Sequence, residues 1–246
     1  MDSGYYAACT AMVTRTQALD TIANNLANAS TIGYRSEHNV FRSVLADAGD
    51  ASSESVLDQT VNTYGIMSGT TLDQSQGALQ KTGNDLDLAI QGSGYFVVQT
   101  SSGPVYTRNG AFQVSSHGQL ITAAGDAVMG DTGEISILSG KVSISSDGTI
   151  SSNGAVSGKL KVVDFPEGTE LTSVGSTYYS APANTDIPAT NSNVRQGMLE
   201  SSNVNPITAM VELVNAQRST EMMQRALSMF SSEMDKTATQ DLPKVS

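Results

Sequence analysis

Both extremities of the chain carry the same three-four spacing of apolar residues, and that pattern limits the fold more than any other feature. Leu213, Ala216, Thr220, Met223, Leu227, Phe230 and Met234 alternate three and four apart, which places them in one stripe on one helix face. Asn205-Pro206 opens this helix well, because Asn caps free N–H groups and Pro fits the first helical position, where no donor is needed. Glu221 and Arg225 stand at i,i+4 on the outside, a small added support. A helix of about 30 residues runs roughly 45 Å, longer than a domain of this size needs for its own core. It wants a partner helix.

The other end supplies one. Ala8, Met12, Arg15, Leu19, Ile22, Leu26 and Ala29 repeat the spacing, and Gly33 is a good left-handed stop. A first helix is therefore expected over residues 3–32, with everything else inserted between the two helices. Asn24, Asn25 and Asn28 crowd its last turns. They act either as capping amides at a fraying end or as polar contacts that fix register between packed helices. Met210, Met222 and Met229 lie off the main stripe of the last helix and widen its apolar face, which suits a multi-helix layer better than a simple dimer.

The middle of the chain reads differently. Val40, Phe41, Val44 and Leu45 form an apolar anchor, after which residues 46–84 become Ser-, Thr-, Gly- and Asp-rich. That composition cannot bury enough surface to order itself alone, and the segment is too long for a routine loop. It is either disordered or ordered by packing on other subunits. From Asp85 the regime changes: Leu86, Leu88 and Ile90 alternate, and Tyr95-Phe96-Val97-Val98 reads as a buried strand. Short β runs at 105–107, 120–121, 135–138, 142–144 and 160–163 follow, separated by turn signals such as Asn109-Gly110, Asp147-Gly148 and Asn153-Gly154. The spacing predicts an all-β sandwich or partly open barrel over residues 85–200.

Composition narrows the function. The 246 residues carry a formal net charge of −11, which argues against a nucleic-acid backbone or an anionic membrane as the main partner. No run of about 18 apolar residues exists to insert into a bilayer, and the N-terminus lacks the basic-then-apolar start of a cleaved secretory signal. Cys9 stands alone and reads as a small packing residue. Gly92-Ser93-Gly94 lacks the lysine of a phosphate loop and is a strand-to-strand turn. Asp85 and Asp87 are expected to share one solvent face rather than form an acid pair. His38 and His117 have no nucleophile motif beside them, and no Cys/His cluster has zinc spacing. Catalytic residues, metal and cofactor are all expected to be none.

Three stretches carry a family resemblance. Ile22-Ala23-Asn24-Asn25 followed by Leu26-Ala27-Asn28-Ala29-Ser30-Thr31-Ile32-Gly33-Tyr34-Arg35 resembles the N-terminal signature of bacterial flagellar rod and hook proteins. The run from Leu86 to Val98, extended by Tyr106-Thr107-Arg108-Asn109-Gly110-Ala111-Phe112, resembles the central motif of that family. Leu199-Glu200-Ser201-Ser202-Asn203-Val204-Asn205-Pro206 and Glu212 to Arg218 resemble its C-terminal helix. Gly197 to Val204 and the Asp241-Leu242-Pro243 ending look closest to the proximal-rod member, with the distal-rod protein as runner-up.

The resemblance implies an α+β chain: terminal heptad helices (residues 1–33 and 201–246) packed as a coiled-coil tube domain, an extended polar linker (34–84), and an outer β domain (85–200). It implies a structural subunit of a periplasmic drive shaft that carries torque from motor to hook. Export would run through the flagellar type III apparatus without a cleaved signal. Partners would be further copies in a helical polymer, other rod proteins, the export apparatus and surrounding ring proteins, with no nucleic acid and no direct membrane insertion. The expected assembly interface is Met12, Leu19, Ile22, Asn25, Leu26, Asn28, Gly33, Leu213, Ala216, Met223, Leu227, Phe230 and Met234. Two other classes compete. A cell-wall glycan hydrolase would need an acid and a base that the sequence does not display, and a secreted β-rich adhesin would have no need of paired terminal heptads.

Overall fold

A long helix stands at each end of the chain, and the described segments between them are strands and turns. The computed structural model describes residues 2–44, 64–137, 140–166, 168–175 and 177–236. Helix α1 covers Asp2–Ala27 and helix α2 covers Pro206–Lys236, the latter starting at the expected Asn-Pro signal. Helix α1 ends earlier than its spacing predicts. The Thr31 N–H donates to Asn28 O at 3.0 Å and the Tyr34 N–H to Thr31 O at 3.3 Å, so the chain is already turning before Gly33. The left-handed φ of Gly33, +70°, belongs to this later turn.

Contacts divide the described residues into two units. The first takes those of Met1–Leu26, Glu37–Thr70 and Pro206–Ser246, and the second those of Ala27–Ser36 and Thr71–Asn205. In the first, strand Glu37–Val44 pairs with strand Tyr64–Leu72 as a two-stranded ribbon, and residues 45–63 of the expected linker lie outside the described residues. A lone ribbon is marginal in water, and Asn25 helps to anchor this one. Its Nδ2 donates to Glu37 O at 2.8 Å while its Oδ1 accepts from the Glu37 N–H at 2.9 Å, so a side-chain amide stands in for a strand partner.

The second unit is the β body, built around strand Tyr95–Thr100. It pairs antiparallel with Gly103–Thr107, Ala127–Gly130 and Val162–Asp164. Successive side chains of a strand point to opposite faces, and here both faces are covered. Phe96 enters one core with Leu88, Ile90, Phe112, Leu120, Ile150 and Leu160, while Tyr95 and Val97 enter another with Tyr106, Phe165 and Tyr179. Edge-to-face rings tie each core: Phe96–Phe112 at 5.1 Å in the first and Tyr106–Phe165 at 4.8 Å in the second. Strand Leu88–Gln91 is buried at Leu88, Ala89 and Ile90 alike, so its alternation does not mark a wet face. Asp87 shares that fate. It is buried rather than solvated, and its Oδ1 accepts from Asn84 Nδ2 at 2.9 Å.

Turn dipeptides divide by role. Asn153 and Gly154 have φ of 50° and 85°, the primed geometry that closes the hairpin between Thr149–Ser152 and Ala155–Lys159. Asn109-Gly110 does not close a hairpin. Asn109 Oδ1 accepts from the Ala111 N–H at 3.0 Å, and Gly110 lets the backbone pass so close that a Cβ there would meet Leu88 O at 1.7 Å. Gly110→Ala is expected to cost about 3 kcal/mol, the upper end of an overpacking penalty. Chemical denaturation of the purified Gly110→Ala chain, compared with the unsubstituted chain, measures it.

Candidate assembly surfaces

Helix α2 shows how its stripe is used. Leu213, Ala216, Thr220, Met223 and Leu227 are all half-buried, and Ser219 and Ala226 flank them. Phe230 and Met234 continue the repeat, but their side chains lie outside the described residues. Among its described side chains, six other large apolar residues stay exposed: Ile207, Met210, Val211, Val214, Met222 and Met229. Counted at 3.6 residues per turn, these fall within an arc of about 120° on the side opposite the stripe. The helix thus has two apolar faces, back to back.

On helix α1, Met12, Leu19, Ile22 and Leu26 are half-buried, whereas Arg15 and Val13 are exposed. The asparagines are engaged within the chain. Asn25 is buried on the backbone of Glu37, and Asn28 Oδ1 accepts from Thr31 Oγ1 at 3.2 Å. Gly33 is buried in the β body, where a Cβ would lie 2.3 Å from Asn109 N. These three expected interface residues therefore have local structural duties, and the helix stripes remain the surfaces with side chains to offer.

Sequence reasoning did not single out the cluster that holds the β body closed. Glu200, 1% exposed, lies between Arg35 and Arg108, which are 1% and 3% exposed. Glu200 Oε1 stands 2.8 Å from Arg35 Nη2 and also accepts from the Gly77 N–H at 2.9 Å, while Oε2 accepts from Arg108 Nη1 at 3.1 Å. One carboxylate thus serves two guanidinium groups. The surplus positive charge is met by dipoles and a ring. Arg35 Nη1 donates to Ser75 O, Arg108 Nη2 donates to Gly92 O at 2.9 Å, and Arg108 lies 5.1 Å over the Tyr95 ring. Burial lowers the pKa of Arg108 from its ordinary value, and the Glu200 carboxylate works against that shift.

The cluster gathers distant parts of the chain. The Gly33 N–H donates to Glu200 O at 2.8 Å, the Arg35 N–H to Tyr179 Oη at 3.0 Å, and the Ser36 N–H to Asn203 Oδ1 at 2.8 Å. Asn203 Nδ2 donates in turn to Asp73 O at 3.0 Å. The residues that follow helix α1 and those that precede helix α2 are so fastened to one β body. A charged residue inside each of the three motif stretches, at 35, 108 and 200, was the available signal.

Among the described residues no three potential metal ligands cluster, and no helix is long and apolar enough to cross a membrane. A cavity of about 330 Å³ is an open hollow by Asn109, Thr122 and Tyr178.

Comparison with known proteins is consistent along the chain. Residues 6–35 match the family described as flagella basal body rod protein. Residues 89–157 match the flagellar hook protein FlgE/F/G D1 domain, and residues 195–241 match the flagellar basal body rod FlgEFG protein C-terminal family. The chain is 33% identical to the flagellar basal-body rod protein FlgF of Caulobacter vibrioides, with 100% of both chains covered. It is 35% identical to FlgF of Salmonella typhimurium, over 92% of this chain and 93% of that one. It is 32% identical to the rod protein FlgG of Bacillus subtilis, over 81% of this chain and 84% of the relative.

Glu200→Gln is expected to destabilise the β body by about 3–5 kcal/mol, because it leaves two buried cations without their carboxylate. The shift of a urea midpoint at constant slope measures this. Alkali tests the same region. Burial raises the Tyr179 pKa well above the ordinary tyrosine value, and Tyr95 is raised for the same reason. Their contribution is complete below the unfolded value of about 10 and is lost as pH climbs from there toward the folded values. Stability measured from pH 8 upward should therefore fall beyond about pH 10, and Tyr179→Phe should flatten that fall.

Proposed function

We infer the role of this chain from the family to which it belongs, that of the flagellar basal-body rod proteins. It is a structural subunit of the rod, located in the flagellar basal body, where rod proteins assemble with other rod and hook components. Whole-length identity to FlgF relatives is the observation that carries this reading. The finer reading is ours. Copies of the chain join a helical polymer in the periplasm, with the α1 and α2 stripes forming an inner tube and the β body outside. Met12, Leu19, Ile22 and Leu26 of α1 and Leu213, Ala216, Met223, Leu227, Phe230 and Met234 of α2 make the helix contacts, with Asn25, Asn28 and Gly33 at the base of the N-terminal helix.

Physical chemistry supports this reading. Apolar stripes on helices of this length gain stability mainly by packing, not by helix propensity, and α2 keeps six large apolar residues in water on the face opposite its stripe. A helix with two such faces is matched by neighbours on both sides. The proximal rod is the position we assign, with the distal rod as the alternative within the family. Torque then passes by interlocked side chains, and the subunit performs no catalysis. We place the type III export apparatus on its route, further rod proteins above and below it, and ring proteins around it.

Leu227→Asp tests the placement. A carboxylate on the half-buried stripe would have to be desolvated between helices. Motility and rod assembly are expected to be lost while the β body keeps its folded circular dichroism and its melting temperature. Normal swimming by this mutant would refute the tube.

A further inference from the structure

Methionine exposure is uneven in this chain. Met12, Met129, Met198 and Met223 are half-buried, whereas Met210, Met222 and Met229 are 55%, 65% and 69% exposed. These three share the outer arc of helix α2 with Ile207, Val211 and Val214. The same arc holds Arg218, Glu221 and Arg225, with Arg225 Nη2 3.8 Å from Glu221 Oε2 in an exposed pair. An apolar face that carries both signs of charge is self-complementary, so a second copy of this chain is its fitting occupant.

Met is the one apolar aliphatic side chain that mild oxidation converts into a polar group. We propose that Met210, Met222 and Met229 form an oxidation-sensitive assembly face, open to hydroperoxides on the free subunit and shielded once a second copy covers it. The sulfur lone pair attacks a peroxide oxygen, the O–O bond breaks and an S–O bond forms. Proton transfer releases water from hydrogen peroxide or an alcohol from an organic hydroperoxide. Sulfur loses two electrons and the peroxide gains them. The resulting sulfoxide is a strong acceptor that must be desolvated before the face can close. Oxidised subunits are thereby kept out of the polymer, and finished polymer is protected from the same reagent. This inference rests on the assembly reading above, with the second copy as the occupant.

The test uses the full chain, hydrogen peroxide and sedimentation analysis of self-association, with oxidised positions located by peptide mass spectrometry. Met210, Met222 and Met229 should gain one oxygen before the four half-buried methionines do. Self-association of the oxidised chain should weaken by at least about tenfold, the equivalent of one uncompensated polar group at the interface. Methionine sulfoxide reductases should restore it. A Met210→Leu, Met222→Leu, Met229→Leu chain should keep its helicity, associate like the parent and ignore peroxide. Undiminished association of the oxidised parent would overturn the inference while leaving the assembly reading intact. Equal peroxide sensitivity of the triple leucine chain would do the same. An untreated parent that never associates would overturn both.

Discussion

One buried carboxylate ties distant segments of the β body to one another. Glu200 pairs with both Arg35 and Arg108 in a region where each is nearly sealed from water, and its backbone carbonyl receives the Gly33 N–H. Such pairs gain little over well-packed apolar residues, because both charges must be stripped of water. Their physical consequence lies in the carboxylate: the two arginines without Glu200 leave two buried cations uncompensated. The cluster ties residues 33–36 and residues 198–203 into the β body. Strand pairing says the same, since Leu79–Lys81 pairs with Met198–Glu200 and Leu88–Gln91 pairs with Asn193–Gln196.

The helices obey a different logic. Helix α2 is ordered along its described length, with a half-buried stripe on one side and a row of solvated apolar residues on the other. In a finished monomer the second row would be a liability, because contiguous exposed apolar surface marks an interaction site. In the polymer we propose it would lie against a neighbour. The β body has its stability within it, through its cores and ion cluster, whereas in the assembly we propose the helices would gain theirs when copies meet.

Much of this was legible in the residues. The heptad spacing located both helices, Asn205-Pro206 located the start of the second, and the unbroken Tyr95-Phe96-Val97-Val98 run announced a buried strand. Failures came where local pattern met long-range packing. Asp87 was expected in water, yet the strand it leads into is buried on both sides, so alternation carried no information about solvent. Asn109-Gly110 has the sequence of a hairpin turn but serves a close passage beside Leu88. Asn25, equally readable as a cap or as a helix-to-helix contact, binds the backbone of Glu37 instead. Periodicity also cannot say which acid meets which base; Arg108 and Glu200 are 92 residues apart along the chain. Their pairing is a product of topology.

The central claim is that the terminal helices are completed by other molecules of the rod, and amide hydrogen exchange addresses it most directly. The isolated full-length chain and the same chain in purified rods should be compared residue by residue. Residues 2–27 and 206–236 should exchange faster than the β-body strands in the free chain and slow by orders of magnitude in the rod, while the strands around Tyr95–Thr100 are protected in both. Terminal helices already as protected as those strands in the solitary chain, and unchanged in the rod, would contradict it.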